Sequence, residues 1–182
     1  MKFICPIVVF VLLGFAVALN PVFAAPKVAT GHVTPTTAAA QYAQINREIG
    51  RCKIVERTIT GLSVEGGTLR AYLLNGAPRK LLVHHYGESG KAVEEYYFWN
   101  GRLFFVLRAV FAYDEPLGSG QPGKPSGIKE RRTGEIRLYF REGKLVRWQK
   151  GRDVLSPSLQ EARDYAETAQ LVAREMLEKL RS

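Results

Sequence analysis

Glu95-Tyr96-Tyr97-Phe98-Trp99-Asn100-Gly101-Arg102-Leu103-Phe104-Phe105-Val106-Leu107 is the stretch that decides the fold. Two runs rich in aromatic and branched residues flank Asn100-Gly101, and both central residues of a type I′ turn need positive φ, which Asn and Gly supply at least cost. The stretch therefore reads as an antiparallel hairpin. Its second arm continues to Phe111 with apolar residues on both faces, which predicts a strand covered on both sides at the centre of a sheet.

Working outward, the period stays at two from Lys53 to Lys150, with turn residues about every 8–12 positions, the pattern of an antiparallel meander. About seven strands are expected, over Lys53–Ser63, Thr68–Leu74, Lys80–Tyr86, Ala92–Trp99, Arg102–Tyr113, Gly134–Arg141 and Lys144–Gly151. Between Asp114 and Thr133 the Gly/Pro-rich chain is longer than an ordinary connection and is expected to be a disordered loop.

Helical spacing brackets the strands. Ala38, Tyr42, Ile45 and Ile49 recur on one face of a helix that Thr36 or Thr37 would cap and Gly50 would stop. After the meander, Ser158-Leu159-Gln160-Glu161 has the form of a capping box, and Leu159, Ala162, Tyr165 or Ala166, Ala169, Val172 or Ala173, Met176 and Leu180 form an apolar stripe. A long helix with such a stripe has the sheet face to cover. The expected fold is α+β: an N-terminal helix, an antiparallel meander, and a long C-terminal helix packed on the sheet, in one domain over residues 36–182.

The start of the chain reads differently. Lys2 precedes an apolar run from Phe3 to Leu19, broken by Pro6 and Gly14, and small residues follow at Val22 and Ala24. The run is shorter than the ~20 apolar residues of a spanning helix, so residues 1–24 are expected to be a signal peptide, with Ala25 the mature N-terminus and residues 25–35 a flexible arm. Export to the periplasm or outside the cell follows. Cleavage removes Lys2 and Cys5 and leaves 25 basic against 17 acidic side chains, a formal charge of +8, with Cys52 as the remaining thiol. A free cysteine packs as a small hydrophobe, so Cys52 is expected to be buried.

Chemistry is sparse. The histidines are His32, His84 and His85, and no nucleophile elbow, zinc helix or calcium loop is present in the sequence. Adjacent strand residues point to opposite faces, so His84 and His85 cannot share a metal ion on a regular strand, and neither a metal nor a cofactor is expected. If Tyr86 faces Ala92, His84 lies opposite Glu94 and the two form a candidate acid/base pair; a pairing one residue shorter puts His84 opposite Val93. Gly87-Glu88-Ser89-Gly90-Lys91 lacks the first glycine and the hydroxyl of a phosphate-binding loop and reads as a hairpin turn.

The clearest signal is electrostatic. From Lys129 to Lys150 eight basic side chains face three acidic ones, a local charge of +5. With Glu142-Gly143 as the turn and regular pairing, Arg137, Tyr139, Arg141, Lys144, Trp148 and Lys150 share one face and Ile136, Leu138, Phe140 and Leu145 the other. Cations interleaved with flat rings suit an anionic envelope polymer, an acidic lipid headgroup or an acidic protein patch. No specific nucleic-acid motif is present.

The hairpins Glu95–Leu103 and Arg137-Leu138-Tyr139-Phe140-Arg141-Glu142-Gly143-Lys144-Leu145 resemble hairpin units of exported bacterial proteins of unknown function, a likeness confined to these segments. The expected function is that of an exported, non-catalytic binding or inhibitory protein acting through the basic-aromatic face. The alternatives are a periplasmic enzyme using His84 and Glu94, and an envelope structural factor held through Cys52 or the arm.

Overall fold

A computed structural model describes residues 35–61, 63, 65–115 and 129–181 of the chain. The expected signal peptide, nearly all of the arm, and positions 116–128 of the Gly/Pro-rich stretch lie outside the described residues. None of the described helices is long and apolar enough to cross a membrane.

Helix α1 (Pro35–Glu48) runs through a short 3₁₀ turn, Ile49–Arg51, into the sheet. The strands are β1 (Lys53–Ile59), β2 (Gly67–Leu74), β3 (Ala77–Gly87), β4 (Gly90–Trp99), β5 (Arg102–Tyr113), β6 (Glu130–Arg141), β7 (Lys144–Lys150) and β8 (Asp153–Leu155), and helix α2 (Gln160–Lys179) closes the fold. All eight strands form one antiparallel sheet in sequential order, so the α+β meander is as expected, with one strand more than the sequence pattern revealed. The additional strand, β8, is too short for a period of two to register.

Three tight turns set the geometry. Asn75-Gly76, Asn100-Gly101 and Glu142-Gly143 each have positive φ at both residues, between 50° and 78°, as a two-residue I′ hairpin requires. On the returning strand of each hairpin one residue has no partner: Leu73 pairs with Pro78 but Tyr72 with Lys80, Phe98 with Leu103 but Tyr97 with Phe105, and Phe140 with Leu145 but Tyr139 with Arg147. Arg79, Phe104 and Val146 are thus β-bulges, each three residues after the turn glycine. A tyrosine closes the ladder beyond each of them.

The bulges keep two rows of side chains in phase across the sheet. Val55, Ala71, Leu81, Tyr96, Val106, Leu138, Trp148 and Leu155 are successive partners on one face. With Ala162, Ala166, Ala169, Val172, Ala173 and Met176 of α2 they make the main core. On the other face Tyr72, Lys80, Tyr97, Phe105, Tyr139 and Arg147 are successive partners. Here α1 packs Ala38 and Ile45 against Tyr97, Phe104 and Phe105, and the Tyr42 ring lies 4.9 Å from that of Tyr97. The sheet is covered on both sides at β5, as its apolar sequence requires.

Several local expectations are corrected. Helix α1 starts at Pro35, a favoured first helical residue, so Thr36 and Thr37 lie in its first turn instead of capping it. Residues 130–133 belong to β6, and β1 ends at Ile59. The capping box does not form: Ser158 Oγ bonds Ser156 Oγ, while Glu161 reaches Lys150 Nζ at 2.8 Å. Cys52 is half-buried, not buried, with its thiol donating to the Glu48 carbonyl at 3.6 Å.

Candidate functional site

The turn between β3 and β4 is Glu88-Ser89, with Gly87 opposite Gly90, and this tight closure fixes which histidine meets Glu94. Of the two pairings the sequence allowed, the shorter one forms: His84 lies opposite Val93 and His85 opposite Ala92, so the candidate His84–Glu94 pair is not made and the two side chains are on opposite faces. His85 takes that place, with Nε2 3.3 Å from Glu94 Oε2. Glu94 is 5% exposed, a depth at which an uncompensated carboxylate is prohibitively costly.

Compensation comes from three directions. Arg108, directly opposite on β5, donates from Nη1 to Oε1; the Tyr96 hydroxyl and His85 both bond Oε2. Burial pushes the Glu94 carboxyl up, but the hydrogen bonds from His85 and Tyr96 and the positive charge of Arg108 outweigh it and leave the group below its ordinary range. A carboxylate so occupied is a poor proton acceptor at neutral pH, and its geometry is that of an anchor. The Tyr96 hydroxyl, buried beside that anion, is held well above the ordinary phenol value.

His85, Glu94 and Arg108 of this cluster line a cleft of about 700 Å³ between the sheet and α2, walled by Ala92, Val110, Leu171 and Val172 and reached by Lys91, Ser63 and Glu175. Among the described residues no three His, Cys, Asp or Glu side chains gather as metal ligands. On the opposite face His84 lines a smaller hollow with Arg70 and Thr68 and bonds the Tyr86 hydroxyl at 3.1 Å. Burial, then the charges of Lys91 and Arg70, hold its imidazole below the usual value.

The basic-aromatic face is reorganised by the bulge at Val146. Because that residue drops out of the ladder, Tyr139 faces Arg147 and Arg137 faces Gln149, while Trp148 pairs with Leu138 in the core at 0% exposure. Lys150 likewise lies on the α2 side, bonded to Glu161. Of the six residues expected together, Arg137, Tyr139, Arg141 and Lys144 share the α1 side, and Trp148 and Lys150 do not. Arg147 joins them, its guanidinium carbon 5.4 Å from the Tyr139 ring centroid. Arg137 pairs with Glu135, and Arg141 and Lys144 are exposed.

Between α1 and this face runs a groove of about 270 Å³, lined by Ala38, Tyr42, Phe105, Leu107, Arg137 and Tyr139. Neither a family model, nor a curated protein, nor a solved structure matches this chain.

Sequence reasoning considered both histidines but gave Glu94 to His84 and not to His85, left Arg147 off the basic-aromatic face, and missed Arg108 altogether. Arg108 carried a legible sign, being the one charge inside the apolar run Leu103–Phe111. Arg147 carried none, since nothing in its composition marks Val146 as a bulge.

Proposed function

We propose that the protein is an exported, non-catalytic binding protein that engages an anionic partner through the α1 side of the sheet. The observation that carries this reading is the groove between α1 and β5–β6, whose lining combines the rings of Tyr42, Phe105 and Tyr139 with Arg137. Arg141, Lys144 and Arg147 extend the positive charge alongside it. Flat rings supply desolvated contact area and the cations supply attraction and orientation, the combination that suits an acidic polymer, lipid headgroup or acidic protein patch. The formal charge of +9 on the whole chain, +8 without residues 1–24, favours the same class of partner.

The test compares Arg137→Glu with Arg141→Glu against Arg163→Glu with Arg174→Glu on the exposed side of α2. The probes are a sulfated polysaccharide and phosphatidylglycerol vesicles at physiological salt. Binding lost in the sheet pair and retained in the helix pair supports a defined face. Equal losses would mean diffuse charge attraction and would remove the proposal.

A further inference from the structure

Beneath α2 the sheet changes character toward the Glu88-Ser89 turn. Elsewhere large side chains fill the space under the helix, but here the sheet residues facing it include Ala92, Gly134, Gly90 and Ala112. They are too short to meet Thr168 and Leu171, which is why the cleft of about 700 Å³ remains.

Arg108 is the cation at its floor. Its Nη1 is occupied by Glu94, whereas Nε and Nη2 have no hydrogen-bond partner among the described residues, and the side chain is 36% exposed in a cleft that it lines. The buried Glu94, itself fixed by Tyr96 and His85, holds the guanidinium in place. A guanidinium is a planar fork whose paired N–H groups match the two oxygens of a carboxylate, and holding it beforehand lowers the ordering cost of binding. An ammonium at the same position would meet a like charge. Glu175 at the cleft disfavours an anion beside α2 and leaves the Arg108 side as the place for one.

We infer that the cleft under α2 binds a small amphipathic carboxylate, its head on the free edge of Arg108 and its apolar body between Val110 and the α2 residues Leu171 and Val172. Glu94 acts as a positioning residue for Arg108. The site lies on the opposite side of the sheet from the basic-aromatic face and stands independently of it.

Calorimetric titration of the protein with octanoate, octanamide and octylamine tests the assignment. Octanoate should bind at least about tenfold more tightly than either neutral or cationic analogue. Arg108→Lys keeps a charge beside Glu94 but loses the fork and should weaken octanoate by about tenfold or more. Leu171→Glu places an acid at a 48% exposed position on the cleft wall and should have a similar effect with the melting temperature preserved. Arg137→Glu with Arg141→Glu should leave octanoate binding intact. No octanoate binding at millimolar concentration, equal binding of octanamide, or unchanged affinity in Arg108→Lys would each overturn the inference.

Discussion

Arg147 faces Tyr139 across the β6–β7 hairpin, its guanidinium carbon 5.4 Å from the ring centroid, because Val146 is left out of the ladder between them. Deleting Val146 should therefore remove the bulge without changing which face any neighbour occupies. In a Trp99→Phe background the deletion variant should keep the blue-shifted emission of a buried Trp148. Inserting an alanine after Val146 instead drives Arg147 toward the core and Trp148 toward solvent, since a slip of one residue exchanges faces. That variant should lose at least about 3 kcal/mol in urea unfolding.

Among the described residues Trp148 is the largest fully buried side chain, and its indole nitrogen has no hydrogen-bond partner among them. Trp148→Ala should cost about 3–5 kcal/mol through lost burial and the cavity left behind. Trp148→Phe should cost much less, about 1–2 kcal/mol, because it forfeits no hydrogen bond and retains an aromatic ring. Equilibrium unfolding in urea distinguishes the two.

Glu94 and Arg108 should show coupled energetics. Removing either charge leaves the other without its opposite, so Glu94→Gln and Arg108→Gln should each destabilise by about 1–3 kcal/mol. The partial exposure of Arg108 keeps the value toward the lower end. The double variant should cost less than the sum, with a coupling of at least about 0.5 kcal/mol. Strict additivity would mean that the two groups do not hold one another.

Acid should weaken the fold in two stages. The His84 imidazole titrates below its ordinary value of 6.5 because of burial and the nearby Lys91 and Arg70 charges, so the unfolded chain takes up that proton first. Stability is therefore lost as pH falls through and below 6.5. Glu94 lies below its ordinary 4.5 despite burial, and contributes stability that is present above that value and is lost as pH falls further. Thermal melts from pH 8 to 3 should show both declines, and His84→Gln should flatten the first. An unchanged upper slope in that variant would assign the decline to another group.

The sequence carries the architecture where turn chemistry and periodicity agree. Asn100-Gly101 and Glu142-Gly143 specify their hairpins because few residues accept positive φ twice in succession, and the α2 stripe from Ala162 to Met176 is buried as its spacing implies. Site residues are harder to place, because face assignment depends on counting by single residues. Val146 as a bulge sends Trp148 inward, and a two-residue Glu88-Ser89 turn brings His85, not His84, to Glu94. Neither choice leaves a mark in composition. Each is settled by which register buries Trp148 and Tyr96 and leaves Arg147 and His84 on the other side.

The strictly sequential strand order gives assembly a timetable. Each strand finds its template in the one just before it, so the sheet can lengthen from β1 onward through local contacts, the kind that form fastest. Helix α1 stands outside that schedule. Although it comes first in the described chain, its partners Tyr97 and Phe105 belong to β4 and β5, and it must wait undocked until both have paired. During that interval Ala38 and Ile45 have no apolar surface to cover, and the helix carries in the open a pair of side chains that the folded protein buries almost completely.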